Sequence, residues 1–496
     1  MAKRVYLAVD LGASSGRVLA GEFDGSQLQL HEVHRFPNGP HPAEGRLYWD
    51  VLALWANIQD GLRMAAEEYG DTIASIGVDT WGVDFALLDD NDELIGNPYN
   101  YRDPANHGMI EEAAKSVSKP EIFAATGLQF MEINTLYQLV AMRKANSPKL
   151  QMAETFLMIP DYFNWLLTGK KTNEFTNATT TQFLNPATQD WATDLLQKLD
   201  IPTKMLQPIS HPGTNLGPLR TEVAAATGLK DVNVILPGTH DTASAVMAVP
   251  AEGAVSDSPD WAYISSGTWS LLGAEVASPV ITDQCREYNF TNEGGVGGSI
   301  RLLKNITGLW LVQECRRIWS LEGKDYSWSE LTRQAEAVMP LQSFIFPDDS
   351  RFVAPANMPN AIREFCQSTD QRVPESEGEV IRCALESLAM RCRMVLQWQQ
   401  DLTGSKTKVL HIVGGGSQNA QLCQMTADSC GIPVMAGPVE ATAIGNLMMQ
   451  AIAQGDVADV AAARQIVKAS FPMQQFQPKN SAAWNVAYAQ FQGLCR

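Results

Sequence analysis

Positive charge is scarce in this chain. Over 496 residues, 37 lysines and arginines face 55 aspartates and glutamates, a formal charge of −18. Nucleic acid and anionic membrane both call for a basic face, so neither is expected as a partner. No obligate protein partner is signalled either. Long apolar runs are also missing, and nothing resembles the ~18 residues a membrane helix requires. The start, Met1-Ala2-Lys3-Arg4, leads into a strand-like run that a turn soon ends, not into a secretory leader. The eight cysteines (285, 315, 366, 383, 392, 423, 430 and 495) include no CxxC pair and none falls in the first half. They read as reduced thiols filling the core of a cytoplasmic protein rather than as a metal site. The GxGxxG fingerprint and the GxxxxGK[ST] loop are both absent, so a nicotinamide dinucleotide and a P-loop triphosphate cradle have no support.

What remains is the composition of a globular protein, 45% hydrophobic and free of low-complexity tracts. The length exceeds what one core organises, which predicts two domains of similar size. They are drawn as 1–249 and 250–496, with the division in the Pro-, Gly-, Ser- and Asp-rich stretch 250–260. Strands alternate with helical segments in both halves. Apolar residues at Leu54, Ile58, Leu62 and Ala65 predict a helix over about 50–69. Residues 100–190 read as a helical insertion. In the second half a long helix is predicted at about 378–400, with strands at 408–413 and 433–436. Parallel βαβ elements mixed with hairpins point to two α/β domains around a cleft.

The most informative stretch is Val5 to Arg17. An apolar strand ends in Asp10, turns through Gly12-Ala13-Ser14-Ser15-Gly16-Arg17, and resumes at Val18. Glycine lets a backbone approach an anion, and small hydroxylated residues supply donors without bulk. A degenerate copy returns at Ala262–Leu272, with Ser265-Ser266-Gly267-Thr268 at its turn. One such hairpin is equally a tight surface turn; two favour phosphate binding by half-molecules facing each other across a nucleotide. Ala13 to Gly16 would supply donors, Arg17 a guanidinium, and Asp10 a carboxylate for Mg²⁺, directly or through water.

Other constellations keep two readings. Gly238-Thr239-His240-Asp241-Thr242 joins a strand to an Ala-rich helix, and Asp241 can be the cap of that helix or a general base for a substrate hydroxyl. Asp79-Thr80-Trp81-Gly82-Val83-Asp84 can be a turn around a buried Trp or the apolar-and-acidic surface a sugar favours. Asn305 at a helix entry and Gln313 two turns on can be a cap and an exposed face, or ligand contacts. Gly414-Gly415-Gly416 after a strand can be a turn or the close approach of a nucleoside.

Taken together these runs resemble the FGGY carbohydrate kinases, over Val5 to about Ala453. The resemblance rests on Asp10, Gly12, Ser15 and Arg17, on Pro160-Asp161-Tyr162 with Leu167-Thr168-Gly169, and on Thr176-Asn177-Ala178-Thr179. It also rests on Ser265 to Thr268, the glycine triplet, and Gly431-Ile432-Pro433-Val434 before Glu440. It implies two duplicated ribonuclease-H-like (actin/hexokinase-type ATPase) domains around a central cleft, with ATP and Mg²⁺. Asn134 to Leu139, Thr176 to Gln182, His240 to Val246, Thr291 to Gly295 and Leu303 to Ile306 are most similar to members acting on L-rhamnulose at its 1-hydroxyl. L-fuculose and L-xylulose are the alternatives. An actin- or Hsp70-like ATPase without a sugar substrate is the rival of another class. By position the resemblance implies Asp241 as catalytic base, and Gly82, His240, Asp241, Thr242 and Asn305 as sugar contacts. It further implies Ala13, Ser14, Ser15, Gly16, Arg17, Thr268, Gln313 and Gly415 as ATP contacts, and Asp10 at the metal. Two departures stand out. Ala105 occupies a position where the family carries an Arg, whose role is then absent or taken over by Arg102, and Pro-Gly-Thr precedes His240.

Overall fold

The structure, a computed structural model, describes residues 3–253 and 255–494. Cys495 lies outside the described residues, as do Met1 and Ala2 of the start and Ala254 in the expected division. The remaining seven cysteines are free thiols, six of them buried. Among the described residues no helix is long and apolar enough to cross a membrane.

The first sheet is built on β1 (Arg4–Leu11), whose residues after Arg4 are all buried. β1 turns into the antiparallel β2 (Ser15–Phe23), and β2 pairs with β3 (Leu28–Pro37). On its other side β1 pairs in parallel with β4 (Ile73–Thr80), in a register that sets Asp10 beside Asp79. β5 (Asn215–Pro218) and β6 (Asn233–Ile235) complete the order β5-β6-β4-β1-β2-β3, with β6 parallel to β4 and β5 antiparallel at the edge. The second sheet comprises β7 (Trp261–Ser266), β8 (Trp269–Val276), β9 (Thr291–Gly294), β10 (Ile300–Thr307), β11 (Val409–Val413), β12 (Val434–Ala436) and β13 (Gln474–Phe476). Its order is β9-β10-β8-β7-β11-β12-β13. Here β7 and β8 form the hairpin, β11 is parallel to β7, β12 parallel to β11, and β13 antiparallel to β12. Hairpin, two parallel strands and an antiparallel edge recur in the same sequence, which is the duplication expected from the repeated hairpin.

The main helices are α1 (Val51–Tyr69), α2 (Asp241–Met247), α3 (Trp310–Leu321), α4 (Glu377–Thr403), α5 (Ala420–Cys430) and α6 (Ala441–Ala453). Asp50 caps α1 by accepting the Ala53 N–H at 3.0 Å. The expected stripe Leu54, Ile58, Leu62, Ala65 is its buried face. α4 starts in a capping box formed by Ser376 and Glu379. The stretch 100–190 is indeed rich in helix, with Thr135–Lys144 and Ile159–Thr168 as its longest pieces.

Two compact units result, and they do not follow a single cut at 249/250. One comprises Met1–Asp257, Glu275–Leu302 and Glu440–Phe471; the other comprises Ser258–Ala274, Leu303–Val439 and Pro472–Arg496. The late segment carrying α6 is bound into the first unit by polar side chains as well as apolar packing. Gln450 donates to the Leu7 carbonyl at 3.0 Å and accepts from the Ser75 hydroxyl at 2.7 Å. Asn446 donates to the Gly77 carbonyl at 3.2 Å and to Asp79 Oδ2 at 2.6 Å. α6 also crosses α2 at Gly445, where a Cβ would stand 1.8 Å from the Ser244 carbonyl oxygen.

Backbone cannot yield there as a flexible side chain could. Gly445→Ala is therefore expected to destabilise the protein by roughly 1–3 kcal/mol, the usual cost of overpacking, and to lower its thermal midpoint. An unchanged midpoint would mean that α2 and α6 do not approach each other through this glycine.

Candidate functional site

The carboxyl ends of β1 and β4 meet the Thr239–His240 turn, with the Thr80 N–H donating to the Thr239 carbonyl at 2.9 Å. Ligands of open α/β sheets gather at such strand ends. Asp10 and Asp79, side by side in register, are both buried. Arg17, opposite Asp10 on β2, donates to Asp10 at 2.5 Å and to Glu440 at 2.5 Å. Burial pushes the Asp10 carboxyl up; Arg17 pulls it down, Asp241 and Glu440 push it up again, and it settles above its ordinary value. Burial and then the neighbouring Asp10 hold Asp79 well above its own, with Asp241 adding to the effect.

Asp10, Asp79 and Asp241 thus share one negative field, which a cation would relieve. Asp79 Oδ1 is buried without a hydrogen-bond partner. Among the described residues no three His, Cys, Asp or Glu side chains converge to hold a metal unaided. Mg²⁺ does not ask for that: it keeps waters and substrate phosphate oxygens and takes one or two carboxylates. Asp10 and Asp79 fit that demand.

The β1–β2 turn has its carbonyl edge occupied. The Gly12 carbonyl accepts from Asn38 Nδ2 at 2.8 Å, the Ser14 carbonyl from the Asn38 N–H at 3.2 Å, and the Ser15 carbonyl from the Gly12 N–H at 2.9 Å. Among the described residues no hydrogen bond uses the Ala13 or Ser14 N–H. A turn whose acceptors are engaged and whose donors remain is suited to an anion. Arg17 is placed differently from a simple phosphate ligand, since its guanidinium already bridges two carboxylates.

Asp241 corrects one of its two expected roles. His240, not Asp241, occupies the N-cap of α2, and Asp241 is the first helical residue. Its Oδ1 accepts from the Thr242 N–H at 2.5 Å and the Thr242 hydroxyl at 3.1 Å, and lies 3.4 Å from His240 Nε2. The side chain is a third exposed, with Oδ2 outside these contacts. A tethered, partly exposed carboxylate can take a proton from a hydroxyl.

Around it the buried Glu174 acts as a hub. It accepts from the Thr239 N–H at 3.0 Å, the Thr239 hydroxyl at 2.7 Å and the Thr176 N–H at 2.9 Å. Gly82 rests against Thr180, which accepts the Val83 N–H at 2.9 Å. Asp84 is structural. Trp49, Trp81, Gln138 and the Tyr101 N–H all donate to it, at 2.5, 3.0, 2.8 and 3.2 Å. Trp81 is buried with its ring 4.1 Å from that of Trp49. The turn-around-Trp reading therefore describes this end of the run. Arg102 is exposed, with its guanidinium 5.5 Å from the Tyr101 ring.

In the second unit, the Thr268 hydroxyl donates to Gln313 at 3.2 Å, and the turn carbonyls of Gly267 and Thr268 accept the N–H groups of Leu309 and Trp310. This hairpin repeats the tied-back carbonyl edge of the first. Asn305 departs from expectation: it is half-buried in β10, which runs on to Thr307, and the helix begins only at Trp310. In the glycine triplet, Gly416 is packed so closely that a Cβ would stand 2.0 Å from Ser266 Oγ, whereas one at Gly415 meets nothing within 4 Å. A cavity of about 460 Å³ in this unit is lined by Pro340, Leu341, Gln421 and Trp484 among others, and by none of Thr268, Asn305, Gln313 or Gly415.

Comparison with known proteins identifies the family. A model of the FGGY family of carbohydrate kinases, N-terminal domain, matches residues 5–248, and that of its C-terminal domain matches 262–454. A protein named rhamnulokinase from Bacteroides thetaiotaomicron is 45% identical over 494 residues, spanning 100% of both chains. Another of that name from Bacillus subtilis is 40% identical over 476 residues, 96% of each. Among solved structures, a gluconate kinase from Lactobacillus acidophilus aligns with TM-score 0.82 at 16% identity, over 99% of this chain and 98% of the other. Plasmodium falciparum glycerol kinase with ADP aligns at 0.75 and 14%, over 99% and 97%. The structural likenesses establish a two-domain carbohydrate kinase fold.

Asp84 makes the site's support sensitive to pH. Burial raises its carboxyl from 3.8 to about 7, against its hydrogen-bond donors. The folded chain therefore keeps this proton to higher pH than the unfolded one. Its stabilising contribution is complete below the unfolded value and lost as pH rises to about 7, amounting to at most about 4 kcal/mol. Asp84→Asn removes the titration, so the gap in thermal midpoint between wild type and variant is expected to shrink as pH rises through that window. A gap independent of pH would show that Asp84 stays ionised throughout.

Proposed function

The chain belongs to the FGGY family of carbohydrate kinases, and we propose that it transfers the terminal phosphoryl group of ATP to the 1-hydroxyl of L-rhamnulose, giving L-rhamnulose 1-phosphate and ADP. The observation that carries the choice of sugar is the full-length identity of 40–45% to proteins named rhamnulokinase. The site supports the chemistry. In this reading residues 1–249 carry the base, the first phosphate hairpin and the other sugar contacts, and 250–496 carry Asn305, the second phosphate hairpin and the nucleoside site.

Asp241 takes the proton of the attacking hydroxyl and holds it on Oδ2, while Thr242 and His240 fix Oδ1. Gly82, His240, Thr242 and Asn305 contact the sugar. The donors of Ala13, Ser14, Ser15 and Gly16, with Arg17, receive phosphate oxygens in the first unit, and Thr268 and Gln313 do so in the second. Exposed Gly415 leaves room for the nucleoside. Asp10, with Asp79 beside it, would hold Mg²⁺, which when bound neutralises phosphate charge and so eases in-line transfer. The deciding experiment is ADP release measured over a panel of ketoses. L-rhamnulose should give the highest kcat/KM, L-fuculose or L-xylulose ahead of it would reassign the substrate, and ATP turnover indifferent to ketose would point to an ATPase of another kind.

Two substitutions separate the roles. Asp241→Asn keeps an oxygen for the Thr242 donors but removes the proton acceptor. Its kcat should fall by at least about 10²-fold, with thermal midpoint and sugar affinity near wild type. A near-normal kcat would send the search for the base elsewhere. Gly415→Val adds a side chain where the protein itself leaves space, so the KM for ATP should rise well beyond that for the sugar. If both stay unchanged, the nucleoside lies away from the triplet.

A further inference from the structure

Behind Asp241, in the same unit, lies an arginine that the sequence does not single out. Arg301 is completely buried in β10. Its Nε donates to the Gly294 carbonyl at 2.8 Å, and its Nη2 donates to Nδ1 of His240 at 3.1 Å. Nη2 is also 3.2 Å from Glu293 Oε2, which itself lies 3.3 Å from His240 Nδ1. The other ring nitrogen, Nε2, is 3.4 Å from Asp241 Oδ1. The imidazole therefore stands between a buried cation–anion pair and the residue read above as the base.

The chemistry of the donors decides which nitrogen carries the ring proton. A guanidinium does not ionise in a protein and has donors only. Where its N–H meets Nδ1, that nitrogen must offer a lone pair, and the one proton of a neutral imidazole is left on Nε2. Glu293 competes for the same nitrogen, since it could accept from an Nδ1–H. That arrangement would set the Arg301 N–H against another N–H, and Glu293 Oε2 makes no hydrogen bond in the structure. Burial pushes the Glu293 carboxyl up, but the Arg301 guanidinium leads the groups that hold it below its ordinary value. Glu293 is thus the anion that allows a buried guanidinium to sit here.

We propose that Arg301 fixes His240 as the Nε2–H tautomer, so that the ring presents a donor to Asp241 and to the sugar hydroxyl beside it. Arg301 is a positioning residue that acts through His240. The proposal rests on the reading of Asp241 as the base of a sugar kinase.

The direct test is a long-range ¹H–¹⁵N spectrum of histidine-labelled protein at neutral pH, with His240 assigned by loss of its signals in His240→Asn. Wild type should show a protonated Nε2 and a pyridine-type Nδ1. A protonated Nδ1 or an imidazolium overturns the proposal. Arg301→Met should move the proton to Nδ1 or charge the ring, lower kcat on the order of 10-fold to 100-fold as misoriented catalytic groups do, and leave the KM for ATP unchanged. Arg301→Lys, which retains a donor, should recover most of both. Should Arg301→Met fail to fold, Glu293→Gln decides alongside the wild-type spectrum. It preserves the Arg301 donor, so the Nε2–H tautomer must persist, and its loss there would give the role to Glu293. A normal kcat in Arg301→Met beside a crippled Asp241→Asn overturns positioning alone. A normal kcat in Asp241→Asn removes the base while the spectrum still judges the tautomer.

Discussion

Two carboxylates side by side at the end of the central strands dictate how the first unit is finished. The register of β1 and β4 puts Asp10 against Asp79, both buried. Neither repulsion nor desolvation can be relaxed by moving one side chain, because the backbone places both. The unit answers with Arg17 from the adjoining strand and with Asn446, which donates to Asp79. Arg17 then binds Glu440 as well, at the mouth of α6. Breaking such a buried pair from one side typically costs about 3–5 kcal/mol, because the charge left behind has no partner. The same crowding that makes these groups costly to bury is what a cation held there would relieve. Stability and function pull the site in opposite directions here, and Arg17 and Asn446 are the compromise.

This explains why a helix from the far end of the chain belongs to the first unit. α6 brings Asn446 and Gln450, one turn apart on the same side of the helix, to the strands that carry Asp10 and Asp79, and Glu440 at its mouth to Arg17. Its approach depends on Gly445, and its own carboxylate at the helix mouth is part of the charge arrangement. Reading the late segment 440–471 as belonging with the residues before it in sequence misses this, since Glu440, Asn446 and Gln450 pair with residues 367 to 443 positions away.

What could be read from the residues alone follows the range of the interactions. The hairpins announced themselves because their turns are encoded by neighbours: strand residues, then Gly and Ser, then strand residues. α1 was readable for the same reason, through a stripe whose residues lie within a few positions of one another. The duplication followed from finding the turn twice, and each sheet sets a hairpin beside two parallel strands and an antiparallel edge. Asn305 misled because Gly308 and the helix after it are close in sequence, whereas β10 holds the residue through a ladder that leaves no local signature. Asp241 was offered as a cap on type and position, one residue too late. Arg301 gave no signal: a lone Arg between Ile300 and Leu302 reads as the solvent side of a strand, and only the distant His240 and Glu293 give it a buried purpose.

Val83 sharpens the distinction between motifs that contact a ligand and motifs that hold those that do. It is β-branched, yet its φ is +69°, a conformation costing roughly 1–3 kcal/mol that persists only where the surroundings impose it. Thr180 accepts its N–H at 2.9 Å, while the Thr135 hydroxyl and Gln138 donate to its carbonyl at 2.6 and 3.2 Å. The reversal at this residue lets the Trp81 indole return to Asp84, three residues on. Thr135 and Gln138 belong to one of the runs that carried the family resemblance, and Thr180 to another. Their physical task is to force a turn that valine resists, so that Gly82 and the end of β4 stay in place. A run can thus mark a kinase family through side chains that hold a turn in place. Its information lies in the strain it sustains.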